Sequence, residues 1–227
     1  MNHSNAPVRV WDLPTRLFHW VLAVSVVGSV ATAQIGGNAM VWHFRLGYLA
    51  CGLLVFRLLW GLFGGRWSRF SSFLYTPAAL LRYLRGQPRP GERFEVGHSP
   101  LGALSVFALL AVLIAQVGSG LFADDEIANV GPLNRYVSGA TASLLTAWHK
   151  DWGAPLLLGL VLLHVVAIVF HRLVRRKDLV RPMLGGDKLL PPDTPATDDG
   201  LGLRVRALAL AGAIAALVGW AVVRLGG

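Results

Sequence analysis

The chain has 227 residues, 54% of them hydrophobic and only 15% charged, with a formal net charge of +9. Stretches of about 20 residues that are apolar all round exclude an ordinary soluble core, whose helices carry a polar face at the helical period, and read as transmembrane helices. The basic residues fall between those stretches, where they set membrane topology, so the positive charge is no sign of a nucleic-acid partner.

Five spans are predicted, at residues 18–35, 43–64, 100–122, 153–171 and 205–223. Each is long enough to cross about 30 Å of hydrocarbon with some tilt. Ahead of the first span stand Arg9 and Arg16 against Asp12. With the apolar run and Ala31-Thr32-Ala33 they imitate a cleaved signal peptide, but the run is long enough to stay as a span. The connection 35–41 has no charge, whereas the one from Arg66 to His98 carries Arg66, Arg69, Arg82, Arg85, Arg89 and Arg93. Within it Phe70, Phe73, Leu74, Leu80, Leu81 and Leu84 recur at near-helical spacing behind Pro77, which predicts a short amphipathic helix on the inner membrane surface. The next connection sets Asp124, Asp125 and Glu126 against Arg135, and the last holds Arg172, Arg175, Arg176, Lys177, Arg181 and Lys188. Basic, neutral, basic, acidic, basic is an alternation that puts the N terminus in the cytoplasm and the C terminus in the periplasm. Pro191–Gly200, rich in Pro and Asp, reads as a flexible linker. The expected organisation is a domain over 1–186, a linker over 187–204 and an additional helix over 205–223.

Ionisable side chains in membrane spans mark function by default, and His19, His43, His149 and His164 all lie near span ends. His149 and His164 are 15 residues apart, which on one helix is about 22 Å of rise and about 60° of rotation. One helix can therefore offer an imidazole at each of two depths. His19 shares the inner depth with His164, and His43 the outer depth with His149. A lone histidine is more often a satisfied polar residue than a ligand, but four at two depths fit two bis-histidine haems b, with irons about 20 Å apart. No C-x-x-C-H motif exists and Cys51 is the single cysteine, so the haems would be held non-covalently. Filled axial positions favour electron transfer over oxygen chemistry. The second nitrogen of each ligand should donate to a carbonyl or carboxylate. His171 rivals His164, facing within about 20° of it, but lies about 33 Å from His149, too far for a core of about 30 Å.

Arg57 follows His43 by 14 residues, about 21 Å deeper and about 40° around the helix. There a guanidinium can pair bidentately with a propionate of the inner haem, the competing reading being a side chain that snorkels to the interface. Arg45 is the corresponding candidate for the outer haem. His98, at the inner start of the third span, is a candidate for a propionate or a quinone contact.

These residues resemble the bacterial cytochrome b561 family, close to the b-type cytochrome subunits of nickel-iron hydrogenases. The resemblance covers roughly 8–186. It rests on Trp11-Asp12-Leu13-Pro14-Thr15-Arg16-Leu17-Phe18-His19-Trp20, His43-x-x-x-Gly47-Tyr48 and Phe56-Arg57-Leu58-x-Trp60-Gly61. Arg69-Phe70-x-x-Phe73, Gly97-His98-Ser99-Pro100-Leu101-Gly102-Ala103, Trp148-His149, Leu163-His164 and Leu179-Val180-Arg181-x-Met183 extend it. It implies an all-α integral membrane protein, a four-helix di-haem transmembrane bundle, here with a fifth C-terminal transmembrane helix that carries no histidine. In the family pattern the two histidines of the fourth helix stand 14 apart, one fewer than here. Pro155, six residues after His149, can kink the helix and absorb the difference.

The reading favoured is an electron carrier of the bacterial inner membrane. It would relay electrons between the quinone pool or the cytoplasmic side and a redox protein such as a cytochrome c or a hydrogenase subunit. A free-standing superoxide:quinone oxidoreductase is the alternative, disfavoured because the acidic outer connection repels an anion; that connection suits a basic protein partner better. A metal or haem transporter is the third reading, and the pairing of the histidines in depth argues against it.

Overall fold

In the computed structural model, which describes residues 5–125 and 129–225, the first helix begins where Asp12 caps it. Asp12 Oδ1 accepts the amide of Thr15 at 2.8 Å, and Pro14 sits in the first turn, where a missing N–H is tolerated. Helix α1 therefore spans Leu13–Ile35 and starts five residues before the apolar run of 18–35. After Gly36 and Gly37, both at positive φ, α2 runs Met40–Phe63. The short helix α3, Pro77–Leu84, opens as expected at Pro77, with the Thr76 side chain accepting from Ala79 N. Leu74, Leu81 and Leu84 are exposed there, as a helix lying in a membrane surface requires.

Helix α4 is Pro100–Gly120. The fourth span differs most from expectation. Helix α5, Gly139–Ala147, a π-helical turn, Trp148–Gly153, and α6, Ala154–Leu173, follow one another without a break. The span is thus Gly139–Leu173 rather than 153–171, because Lys150 and Asp151 sit in a widened turn and do not end the helix. A short α7, Val180–Gly185, precedes the final helix α8, Leu201–Leu225. Among the described residues, five helical segments are long and apolar enough to cross a membrane. Leu62, Phe63, Val166, Leu208 and Leu217 project outward from them; in water that surface would be an aggregation liability, and in a bilayer lipid covers it.

Two compact units share these elements. One comprises residues 1–17, 57–108 and 163–207. It contains the two-stranded sheet that the sequence pattern did not reveal, in which β1 (Ala6–Arg9) pairs antiparallel with β2 (Asp187–Leu190). Val8, Val10, Trp11, Val96 and Leu190 form a small apolar core, with Trp67 and Met183 against it. Pro191–Gly200 is a packed strap rather than a flexible linker. Thr197 N donates to Arg9 O at 2.7 Å, Trp67 Nε1 to Pro195 O at 2.8 Å and Arg93 Nη1 to Thr194 Oγ1 at 3.0 Å. Asp199 accepts from Leu13 N and pairs with Arg9 and Arg204. The residues 187–204 expected as a linker are therefore a strand, a strap and the first turn of α8. The strap's polar residues find fixed partners here, so its composition does not leave it loose.

Asp12 is the polar centre of this unit and is fully buried. Besides Thr15 N, its carboxylate accepts from Trp60 Nε1 at 3.2 Å, Gly65 N at 3.2 Å and Ser68 Oγ at 2.6 Å, while Thr15 Oγ1 donates to Ser68 Oγ at 2.7 Å. One side chain ties the start of α1 to the end of α2 and the turn beyond it. Gly65 allows this, since a Cβ there would collide with Asp12 Oδ2.

The second unit comprises residues 18–56, 109–162 and 208–227, with Glu126 of the acidic connection outside the described residues. Gly52 on α2 admits Ile214 and Val218 of α8 at van der Waals distance. Beyond α4, Leu133 N bonds to Leu121 O at 2.8 Å and Gly131 N to Ala123 O at 2.7 Å, while Asp124 N donates to Thr146 Oγ1 at 2.9 Å. These bonds fold the connection back on the helix ends.

Asp12→Ala is expected to destabilise the protein by about 3 kcal/mol or more, since several buried donors lose their acceptor together. Thermal unfolding in detergent measures this, and Gly65→Ala should lower the midpoint by the same collision. Glu92 gives a pH dependence. Hydrogen bonds from Arg82 and from the amide of Arg89 hold its carboxyl at about 2, below the ordinary 4.5. A carboxylate depressed on folding stabilises fully above its unfolded value and loses that contribution as the pH falls through the folded one. The protection of amides over residues 77–92 against exchange, taken relative to the intrinsic rate at each pH, should fall between pH 4.5 and pH 2 before that of the apolar spans.

Candidate functional site

Two of the four sequence-selected histidines meet in the second unit. His43 stands one turn into α2, and His149 lies in the π-helical turn ahead of α6. Their ring centroids are 6.0 Å apart and their planes nearly perpendicular, at 89°. An iron between two imidazole nitrogens, each at a bond length of about 2 Å, needs ring centres about 6 Å apart. The centroid spacing is that of two rings sharing one metal.

The outward nitrogens are fixed by backbone. His43 Nδ1 lies 2.9 Å from Ser29 O on α1, and His149 Nδ1 lies 2.8 Å from Gln116 O on α4. A carbonyl only accepts, so each Nδ1 carries the proton and each Nε2 keeps its lone pair for a metal. The sequence required such acceptors without naming them. Ser119 Oγ also donates to Gln116 O at 3.0 Å, whereas Thr32 Oγ1 donates to Gly28 O at 2.7 Å and lies 3.1 Å from Ser29 O. Gly120 gives the His149 ring its space; a Cβ there would lie 2.8 Å from Cε1.

The π-helical turn explains the extra residue between His149 and His164. An i→i+5 turn takes up one residue more than an α turn, so the 15 positions separating the histidines advance the helix roughly as 14 would. Pro155, just past the turn, lacks the N–H that would bond to Asp151 O, and its ring crowds that carbonyl. The turn absorbs the residue, where the sequence suggested a proline kink. Gln116, a polar residue inside an otherwise apolar span, was the overlooked signal: its Nε2 donates to His149 O at 2.8 Å.

The other candidates stand on several elements of the two units. His19 is half-buried on α1, its ring 5.0 Å from Trp20 and edge-on to it. His164 is half-buried on α6 in the other unit. His171, its rival, bonds through Nδ1 to Ala167 O of its own last turn at 2.8 Å. Arg57 does not snorkel. It is only 3% exposed, its Cζ stacks 4.6 Å over the Phe70 ring, and its Nη1 is buried without a hydrogen-bond partner. A guanidinium so buried calls for an acidic partner, and a carboxylate such as a haem propionate fits that need. Arg45 is exposed and stacks on Trp42 at 4.9 Å, turned to the surface. The His98 ring is held between Trp11 and Phe73, at 4.7 and 4.5 Å, and its carbonyl accepts from Tyr75 OH. Among the described residues no three His, Cys, Asp or Glu side chains converge as a metal site, so paired imidazoles are the chemistry on offer.

A family model described as "Prokaryotic cytochrome b561" matches residues 10–186. Among curated proteins, a probable Ni/Fe-hydrogenase B-type cytochrome subunit of Azotobacter vinelandii is 28% identical, over 83% of this chain and 91% of its own length. Proteins of the same description from Cupriavidus necator (25% identical, 78% and 85% covered) and Escherichia coli (a "hydrogenase 1" subunit; 24%, 80% and 87%) also match. No solved structure matches.

Proposed function

The chain belongs to the prokaryotic cytochrome b561 family, and from that premise we propose that it is a di-haem electron carrier of the bacterial inner membrane. In this reading His43 and His149 hold one haem b, and His19 and His164 hold the other. The observation that carries it is the facing imidazole pair, His43 and His149, 6.0 Å apart with both Nδ1 protons engaged by carbonyls. A haem with both axial positions filled by imidazole exchanges single electrons and leaves no position for oxygen. The protein's part is to keep each Nε2 free and aimed, to exclude water with apolar helices, and to compensate propionate charge with Arg57.

The basic segments flanking α3 and following α6 favour a cytoplasmic N terminus and a periplasmic C terminus by the positive-inside rule. His43 and His149 then lie toward the periplasm, near Asp124 and Asp125 in sequence or fold. Acidic residues there suit a basic redox protein. The relatives' names point to a nickel-iron hydrogenase as the redox partner; a quinone as the other terminus is part of this proposal.

A pyridine haemochrome assay on fully loaded protein should return two haems b per chain; one or none rejects the proposal. His43→Ala and His149→Ala should each lose the same haem, and His19→Ala and His164→Ala the other. Loss of a haem in His171→Ala with retention in His164→Ala would reassign that ligand.

Arg57→Leu should lower the midpoint of the haem held by His19 and His164, or loosen it, because a nearby positive charge favours the reduced form. Arg57→Lys should keep part of the shift, since the charge survives without the bidentate geometry. A redox titration with both midpoints unchanged would leave Arg57 a packing residue on Phe70.

A further inference from the structure

Gln116 touches His149 through two of its own groups. Its backbone carbonyl takes the Nδ1 proton at 2.8 Å, and its carboxamide Nε2 donates to the His149 carbonyl, also at 2.8 Å. The second bond is available because His149 sits in the π-helical turn Trp148–Gly153. In a regular helix the carbonyl of His149 pairs with the amide four residues on, whereas a π turn shifts that pairing by one and re-aims the carbonyl. Gly153 is part of the same contact. A Cβ there would collide with Gln116 Oε1, and would also lie 3.0 Å from Trp148 Nε1. A side chain at 153 must displace the carboxamide oxygen of Gln116.

We propose that Gln116 is the positioning residue for the His149 ligand: its carboxamide clamps the π turn in place and so holds the imidazole of His149 in line with that of His43. This rests on the di-haem reading above and adds to it the residue that fits the 15-residue spacing to a two-ligand site. The clamp acts at both ends of one residue. The side chain holds the backbone of His149, and the carbonyl fixes its tautomer and ring angle. A helix turn that is wider than α, and otherwise weak, is thereby given one geometry. Ser119 Oγ shares the Gln116 carbonyl at 3.0 Å and lies 3.4 Å from Nδ1, so it reinforces the acceptor without displacing the imidazole.

The test uses full-length protein loaded with haem and two readouts, low-spin ferric EPR signals and a redox titration. Wild-type protein lacking two low-spin signals would overturn the di-haem reading itself. With two signals present, Gln116→Leu should shift one of them, and that one should be the signal abolished by His149→Ala. The midpoint of the same haem should rise, because a loosened Nδ1–H bond leaves the imidazole less anionic and favours the ferrous form. Gly153→Ala should reproduce both changes, since it expels the same carboxamide. In Gly153→Ala with Gln116→Ala the new methyl group meets no carboxamide, so the combined change should be smaller than the sum of the two single changes. Unchanged signals and midpoints in Gln116→Leu and Gly153→Ala would overturn the proposal. Equal shifts of both haems would overturn it as well, because a general loss of packing does not choose one ligand. Failure of all the variants to accumulate would also count against it, marking the contact as structural only.

Discussion

A polar group among apolar membrane helices must find its hydrogen bond on the protein, and this constraint shapes every functional feature of the chain. Helical carbonyls are already bonded within their own helix, but each keeps a second lone pair. Ser29 O and Gln116 O lend that lone pair to an imidazole Nδ1. Gln116 O also takes the hydroxyl of Ser119, three residues further along its helix. With both Nδ1 atoms tied to backbone carbonyls, neither imidazole is free to turn, and each leaves its Nε2 without a proton. The site is prepared by helix backbone rather than by charged side chains, which suits a depth where charges are costly.

The same constraint accounts for the π-helical turn. An extra residue in a transmembrane helix must either rotate everything beyond it by about 100° or be absorbed locally. Absorbing it disturbs the backbone pairing around His149, and in a bilayer no water repairs that. Gln116 adds a side-chain donor to the His149 carbonyl, and Gly153 and Gly120 clear room for the carboxamide and for the ring. Lys150 and Asp151, which follow His149 directly in this turn, are exposed.

The unit built from residues 1–17, 57–108 and 163–207 answers the constraint with a carboxylate. Asp12 is buried and takes four donors, and that number of hydrogen bonds is what makes an ionised group tolerable there. Arg57 is the counter-case, a buried guanidinium that feels the charge of Asp12 but whose Nη1 has no hydrogen-bond partner among the described residues. Around them the sheet of β1 and β2 and the strap Pro191–Gly200 close a small apolar core. The chain leading into α8 is thereby held to the segment leading into α1.

Membrane character, the existence of the long spans, the surface helix at Pro77 and the family were determined by the sequence alone. Each depends on hydropathy over some 20 residues, on local periodicity or on contiguous motifs. The residue types for an imidazole pair were legible too, because histidines at span ends stand out against an apolar background. Tertiary structure alone decided which groups receive their protons, since Ser29 and Gln116 are far from His43 and His149 along the chain and offer backbone, which has no sequence signature. The boundaries of the first and fourth spans escaped hydropathy because a capped start at Asp12 and a charged π turn are polar yet helical. The strand pair and the strap escaped it because their order comes from contacts across more than 170 residues, such as Arg9 with Asp187 and Asp199. A composition rich in Pro and Asp fixes only what a segment does when it has no partner.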